Sequence, residues 1–376
     1  MVVMPRAKTK SKPQSADSPA AIAAVDAFLA GGDLKPGKRA SRKNTWRGGA
    51  RVVVKPVAQE LVEKHRLETP APKKLTVVGG EALRRAGFVH GFSTRVDGDS
   101  RVYSGGERGE LNLSWTQDDD TKSVTENRRR FVRAVAGTAK SELVTVRQIH
   151  SPIVRVIRRE KKHWMVDGRS VKSLASADGR AVLRGDGMLS DVPGLLLGIQ
   201  TADCIPVLIG DRRSGAVGAF HAGWRGTLAR IVERGIGMIQ KEFGARVEDI
   251  VAAIGPGIGP CCYAVGEEVR QEFESQFAYA RELFTEVYDE DPVRTKYPLL
   301  FLTARAPGHS PIGPQLHLNL WDANRRQLLD AGVPARQISV VKLCTACDTT
   351  RFFSHRAEHG FTGRMLNVIA AKRPRK

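Results

Sequence analysis

LLLGIQTADCIPVLIGDRRSGAVGAFHAGWRGTLARIVERGIGMIQKEF, residues 195–243, is the stretch whose reading decides the fold. Its first part, 195–211, is an apolar run rich in Leu, Ile and Val, as a buried strand requires. Asp211, Arg212, Arg213, Ser214 and Gly215 are turn residues, and 216–220 is a second strand of small apolar residues. Gly223 and Gly226 break the chain before an amphipathic helix that carries Leu228, Ile231, Ile236 and Ile239 towards one side. The predicted unit is strand, tight turn, strand, helix.

Two reactive side chains lie inside this unit. If the hairpin turns about Arg212 and Arg213, Cys204 and His221 are directly opposed, and opposed Cβ atoms on one face stand roughly 4.5–5.5 Å apart. A thiol and an imidazole on one surface can share a metal or a proton, whereas a one-residue slip breaks the direct pairing. A buried Cys beside a hydrogen-bonded core His is the bland alternative. The glycine-rich exit His-Ala-Gly-Trp-Arg-Gly opens space beside His221 and favours a site.

Outside that stretch, 376 residues suffice for one large core or two smaller ones. No apolar run approaches the ~20 residues that span a bilayer. The start of the chain is basic, but its Ala-rich piece contains Asp26 and no convincing cleavage site follows, so a secretory signal is not expected. Five cysteines in a chain this long do not form a disulfide framework, and a reducing cytoplasm is the simplest setting. The net charge of +20 raises nucleic acid as a partner. Part of the excess lies in the tails, and no helix-turn-helix, zinc finger or aromatic RNA-binding motif accompanies it. Incidental polyanion affinity is the favoured reading.

Residues 1 to about 72 mix Lys, Pro, Ser, Ala and Gly with little apolar periodicity. They read as a basic, disordered extension with one short helix at 19–30. A single domain, 75–372, follows, in which strands outnumber helices and mix with them: an α/β or mixed α+β fold. A polar loop or hairpin is expected at 161–176 and a Pro-containing irregular connection at 278–314.

His150, which ends a strand after Gln148, joins Cys204 and His221. One Cys and two His with an open fourth position is the ligand set of a catalytic zinc that holds water. A metal-free dyad, with Cys204 as nucleophile and His221 as base, is the alternative. Cys344-x-x-Cys347 is a redox pair or half a zinc site. A complete four-cysteine site needs a second spaced pair, and Cys261 and Cys262 are adjacent, so all four read as structural thiols. His355 and His359 read as surface residues.

FSTRVDG (92–98), VRQIHS, GDGMLS, TADCIPV, HAGWRGT, IGPGIGPCCYAVGEEV, ANRRQLLDAGV and CTACDTTRFFSHR with TGRM occur in the order of the laccase-domain family, and the chain resembles that family over roughly 85–370. The family was once labelled polyphenol oxidase and is now described as purine nucleoside phosphorylase with adenosine deaminase activity. The resemblance implies a layered sandwich of mixed β-sheets flanked by helices, cysteine-hydrolase-like in kind, with zinc on His150, Cys204 and His221. A four-copper laccase uses many histidines in His-x-His pairs, whereas this chain has nine His and no such pair.

The implied reactions are phosphorolysis of adenosine, inosine, guanosine or methylthioadenosine and deamination of adenosine. Phosphate needs cations. Arg95 and Arg225 are the candidates, with Arg364 third; Asn112 and Gln148 are candidates for ribose or base, and Asp186 and Asp203 for support or proton transfer. Ser151, where the family usually has Gly, and Asn319, where it often has Asp, depart from the pattern. Two other functions remain open at this point: a Cys/His amide hydrolase editing a cell-wall precursor, and a basic nucleic-acid-binding protein.

Overall fold

The structure, a computed structural model, describes residues 74–106, 108–287 and 315–373. The extension 1–72, its expected helix and most of the 278–314 connection lie outside the described residues. In chain order the strands are β1 Val77–Val78, β2 His90–Ser93, β3 Val96–Ser100, β4 Leu143–Thr145, β5 Val154–Glu160, β6 His163–Val166, β7 Arg169–Val171, β8 Gly187–Ser190, β9 Leu196–Thr201, β10 Ile205–Asp211, β11 Val217–Ala222, β12 Ile250–Ile254, β13 Ala264–Val265, β14 Phe284–Val287, β15 Gln315–Leu318, β16 Ile338–Val340 and β17 Met365–Ala370. The helices are α1 Glu81–Arg85, α2 Thr121–Ala136, α3 Trp224–Leu228, α4 Ile231–Phe243, α5 Glu267–Gln276 and α6 Leu320–Asp330.

The apolar run 195–211 is two strands rather than one. It breaks at Ala202–Asp203–Cys204, where Asp203 has φ +91°. β9 belongs to a five-stranded sheet of order β1-β2-β17-β9-β4, and β10 to an eight-stranded sheet of order β16-β12-β10-β11-β8-β5-β6-β7. Apolar content hides this break, because both strands are buried on both faces and the polar interruption between them is only Gln200, Thr201 and Asp203. Both sheets are mixed: β4/β9, β5/β8 and β12/β16 are parallel, and the hairpin β10/β11 is antiparallel. A small third sheet, β13-β15-β14, is antiparallel throughout.

Period-two alternation sorts the side chains into layers. Val207, Ile209, Phe220, Ala222 and Ile254 pack with Ile236 and Ile239 of α4 and with Leu320 and Leu328 of α6. From the other face of the same sheet, Leu208, Ala219 and Ala253 meet Phe92, Leu197, Ile199 and Ile369 of the five-stranded sheet. That second sheet's far side, with Leu196, Leu366 and Val368, is covered by Phe131 and Val132 of α2. The result is a helix–sheet–sheet–helix sandwich. Phe220 is fully buried, so truncating it to Ala costs about 3–5 kcal/mol.

Local chemistry sets the ends of these elements. Asp120 caps α2 by accepting from Ser123 N, and Gly137 closes it at φ +73°. Asn319 caps α6 by accepting from Asp322 N at 3.1 Å, so this departure from the usual Asp keeps the cap. The single expected helix after His221 is two, α3 and α4, separated by Arg230 at φ +58°.

The central hairpin also differs in register. Asp211 accepts from Arg213 N and Ser214 N, and Gly215 takes the left-handed position at φ +78°. The turn is therefore centred one residue later than expected, and Pro206, not Cys204, faces His221. Continuing the ladder by one residue sets Gly223 against Cys204. A shift of two residues preserves the face, so Cys204 and His221 stay on the same side, diagonal to each other.

Candidate active site

The break between β9 and β10 puts Cys204 where the chain leaves one sheet for the other. His221 lies near the end of β11 on the intersheet side. His150 sits in the turn after β4, in a left-handed conformation at φ +59°, which a non-glycine residue adopts only at a cost of about 1–3 kcal/mol. The metal-binding atoms of these three residues lie within 4.8 Å of one another, and the two imidazole rings meet edge to face at 4.9 Å. Gly223 permits the approach: a Cβ there would stand 2.8 Å from Cys204 Sγ.

One buried carboxylate holds the arrangement. Asp186 Oδ1 accepts from His221 Nδ1 at 2.8 Å and from His150 N at 3.0 Å. Its Oδ2 accepts from Ile149 N at 3.2 Å, Ser151 N at 2.7 Å and Ser151 Oγ at 2.8 Å. The strained turn at His150 is thus held by bonds to Asp186, and Ser151 adds a hydroxyl bond that glycine lacks. With Nδ1 donating to Asp186, Nε2 is the nitrogen that His221 has left for Cys204, or for a metal once its proton is displaced. Burial works to raise the Asp186 carboxyl, but the bonds and charge of His221 and the Ser151 donors outweigh it and hold it below the usual range.

Burial also works to raise the Cys204 thiol, yet His221 and His150 bring it down to about 6. His221 is pushed the other way: burial lowers it, while Cys204 and Asp186 together lift it to about 10. These are the two sides of one thiolate–imidazolium pair. A soft cation entering this Cys/His/His set takes the place of the imidazolium proton.

Asp203 organises the opposite wall. Its Oδ1 accepts from Thr345 Oγ1 and Ser354 Oγ, each at 2.7 Å, and its Oδ2 accepts from Arg356 N at 2.7 Å. The three ligand-type residues open into a cavity of ≈ 730 Å³ whose lining includes Arg147, Arg180, Arg356, Arg364, Trp115 and Tyr263. Asp203 is the acidic residue of that lining. Trp115 Nε1 is buried without a partner.

The substrate-binding expectations need correction. Arg95 does not line the cavity; it is buried and paired with Glu110 and Glu358 at 2.8 Å each. Asn112 is also off the cavity, spent on Ser114 O, Asp119 and Arg364 N. Gln148 does line it, but both ends of its amide are engaged by the backbone of Gln200, at 2.7 and 2.8 Å. Arg225 is exposed, stacks over the Trp224 ring at 4.4 Å and is not part of the lining. The one-and-a-half turns of α3 that carry it make no anion site of the expected kind.

Arg364 does reach the cavity, and three cations there escaped the sequence reading. Arg147 had a signal: it stands three residues before His150 on the same strand-to-turn segment. Arg356 lies in FFSHR beside His355, which also lines the cavity rather than a remote surface. Trp115 had no signal, since it comes from a loop fixed only by tertiary contacts.

Fold and site together define an α/β protein with a Cys/His/His centre at the base of a cation-lined cavity. Residues 89–372 match the family described as "Multi-copper polyphenol oxidoreductase laccase", and the chain belongs to that family. It is 33% identical over 287 residues to "Purine nucleoside phosphorylase YlmD" of Geobacillus stearothermophilus, covering 76% of this chain and 91% of that one. It is 32% identical over 288 residues to "Adenosine deaminase RL5" from an unknown prokaryotic organism, covering 76% and 94%. Among solved structures it is similar to the Bacillus licheniformis hypothetical protein YfiH, with a TM-score of 0.62 and 29% identity over 82% of this chain and 98% of that one. These relatives place the chain among enzymes. Among the described residues, no helix is long and apolar enough to cross a membrane.

Proposed function

We propose that residues 75–372 are a zinc-dependent catalytic domain that phosphorolyses purine nucleosides and deaminates adenosine in the cytoplasm. The observation that carries this reading is the convergence of His150, Cys204 and His221 beside a cavity lined by four arginines. Relatives named for both activities supply the substrate class. The five cysteines are free thiols, in keeping with a reducing compartment.

His150, Cys204 and His221 would hold the ion. When bound, zinc supplies Lewis acidity and a water of lowered pKa in its open position. The chain's own residues do the rest. Asp186 keeps His221 in the ligating tautomer and fixes the turn that presents His150. For phosphorolysis, Arg147 and Arg364 are the phosphate-binding candidates: among the described residues, Arg147's guanidinium has no side-chain partner and Arg364's bonds only the carbonyls of Thr362 and Gly363. A guanidinium takes phosphate oxygens in pairs. Phosphate attack at the sugar carbon breaks the bond to the base, and the cationic lining favours the negative charge that passes to the leaving purine. Trp115 Nε1 is a donor free to meet base or ribose.

Chromatographic assay of adenosine, inosine and methylthioadenosine, each with and without phosphate, tests the proposal. Free base formed only with phosphate is the expected result, together with phosphate-independent inosine from adenosine. Both should vanish in Cys204→Ala. Turnover of none of the three by zinc-loaded protein would overturn the reading.

The thiolate–imidazolium pair with Asp186 behind it supports a second reading, a Cys204 nucleophile attacking an amide bond. Activity retained by metal-free protein but abolished by a thiol alkylator would favour it.

A further inference from the structure

We propose that Cys261, Cys262, Cys344 and Cys347 form a second metal site, a four-thiolate zinc site that clamps one wall of the cavity. In the sequence these residues stand apart, because an adjacent pair does not look like half of a zinc site. The fold brings them together through strand pairing. β12 and β16 run parallel, with Ile254 beside Val340, and the pairing continues past both strand ends as a bridge between Gly257 and Cys344. Gly257 N donates to Leu343 O at 3.2 Å, and Thr345 N donates to Gly257 O at 3.1 Å. Two loops more than eighty residues apart in sequence therefore advance side by side, each carrying two cysteines.

All four sulfurs lie within 4.8 Å of one another. Cys347 Sγ is 3.2 Å from Cys261 Sγ and 3.3 Å from Cys262 Sγ. These separations are far beyond the ~2.05 Å of a disulfide, and the residues are free thiols. They are slightly shorter than the ~3.8 Å edge of a sulfur tetrahedron with Zn–S near 2.3 Å, so a small outward movement of the sulfurs admits one ion. An iron–sulfur cluster needs its thiolates spread more widely around several irons. Gly259 N already donates to Cys344 Sγ at 3.2 Å, a bond that favours the thiolate form. The scaffold is braced without the ion: His317 Nδ1 bonds Pro260 O at 2.6 Å, and Trp321 Nε1 donates to Gly255 O at 3.2 Å. All four cysteines are partly exposed, which leaves an entry path.

The site's position gives it a consequence. Ile258 and Tyr263, on either side of Cys261–Cys262, line the catalytic cavity. Thr345, between Cys344 and Cys347, bonds Asp203 next to Cys204. An ion on the four thiolates ties these two segments together by bonds stronger than the surrounding hydrogen bonds.

Zinc content of the full-length chain, purified without chelator, tests this. The expected stoichiometry is two ions per chain. Cys204→Ala should keep one, and adding Cys344→Ser with Cys347→Ser should remove it. A metal-free Cys204→Ala chain, or two ions retained by Cys344→Ser/Cys347→Ser, would overturn the proposal. Retention of two ions by Cys204→Ala would instead count against the catalytic site, so the two assignments fail separately. If the serine variants do not fold, cobalt loading of Cys204→Ala decides: intense sulfur-to-cobalt charge-transfer absorption is expected, and its absence refutes the site. Iron in place of zinc, or a native disulfide among the four cysteines, would also refute it.

Discussion

Asp186→Asn changes one atom and removes the feature that gives this site its form. The carboxylate accepts five hydrogen bonds, three on Oδ2 and two on Oδ1. A carboxamide has one acceptor oxygen. If its NH2 takes the Oδ2 position, the N–H groups of Ile149 and Ser151 face another donor. Each buried donor left unpaired costs about 1–3 kcal/mol, so for the two of them roughly 2–6 kcal/mol of stability is lost. If NH2 takes the Oδ1 position, His150 N loses its partner and His221 Nδ1 must become an acceptor. The proton then moves to Nε2, and the imidazole can no longer ligate in its present orientation.

Both orientations weaken the centre. Replacing an outer carboxylate of this kind typically lowers metal affinity about 10–100-fold, or about 1.4–2.7 kcal/mol. Zinc dissociation constants from chelator competition, with thermal unfolding of the same samples, measure both effects. Ser151→Ala is the control: it deletes the hydroxyl's bond to Asp186 and the one it accepts from Ile153 N, so it should lower stability by about 1–3 kcal/mol and leave zinc affinity close to wild type. An Asp186→Asn chain that binds zinc within about threefold of wild type, at unchanged melting temperature, would refute the carboxylate's role.

Arg147→Ala should lower phosphorolysis at least about tenfold, roughly 1.4 kcal/mol of transition-state stabilisation, chiefly through the phosphate KM and with deamination much less affected. Steady-state kinetics with varied phosphate checks this, and Arg225→Ala should change neither rate by more than about twofold. Arg95→Ala leaves the buried Glu110 and the half-buried Glu358 without their guanidinium; it should cost about 3–5 kcal/mol in denaturant unfolding while the folded fraction keeps its phosphate KM. Gly223→Ala puts a methyl group 2.8 Å from Cys204 Sγ, so zinc content should fall with little loss of secondary structure by circular dichroism.

Much of the fold is readable because burial writes itself into periodicity. The α2 and α6 helices, β12, β17 and the central hairpin all carry clear apolar patterns bounded by caps or turn residues. What periodicity does not carry is which sheet a strand joins. β9 and β10 lie in one apolar-rich stretch interrupted only by Gln200, Thr201 and Asp203, and the chain changes sheet at that short interruption, with Asp203 at φ +91°. The break in the helix at Arg230 is hidden in the same way, since Leu228 and Ile231 fit one continuous apolar stripe.

The same limit explains which parts of the site the sequence reveals. A register argument places Cys204 and His221 on one face even with the wrong turn centre, because an even displacement leaves the face unchanged. Charge has no such protection. Arg95 and Arg225 sit in stretches that look chemically rich, yet one guanidinium is consumed by Glu110 and Glu358 and the other rests on Trp224. Nearness to a ligand does not settle it, since Arg225 lies four residues from His221 and Arg147 three from His150. The four-cysteine cluster is harder still, since it depends on a parallel pairing that runs past the ends of two strands and no local pattern records it. Cys204 and His221, presented by one hairpin, can therefore be read from register, whereas the four cysteines, presented by the extensions of two parallel strands, need the fold first.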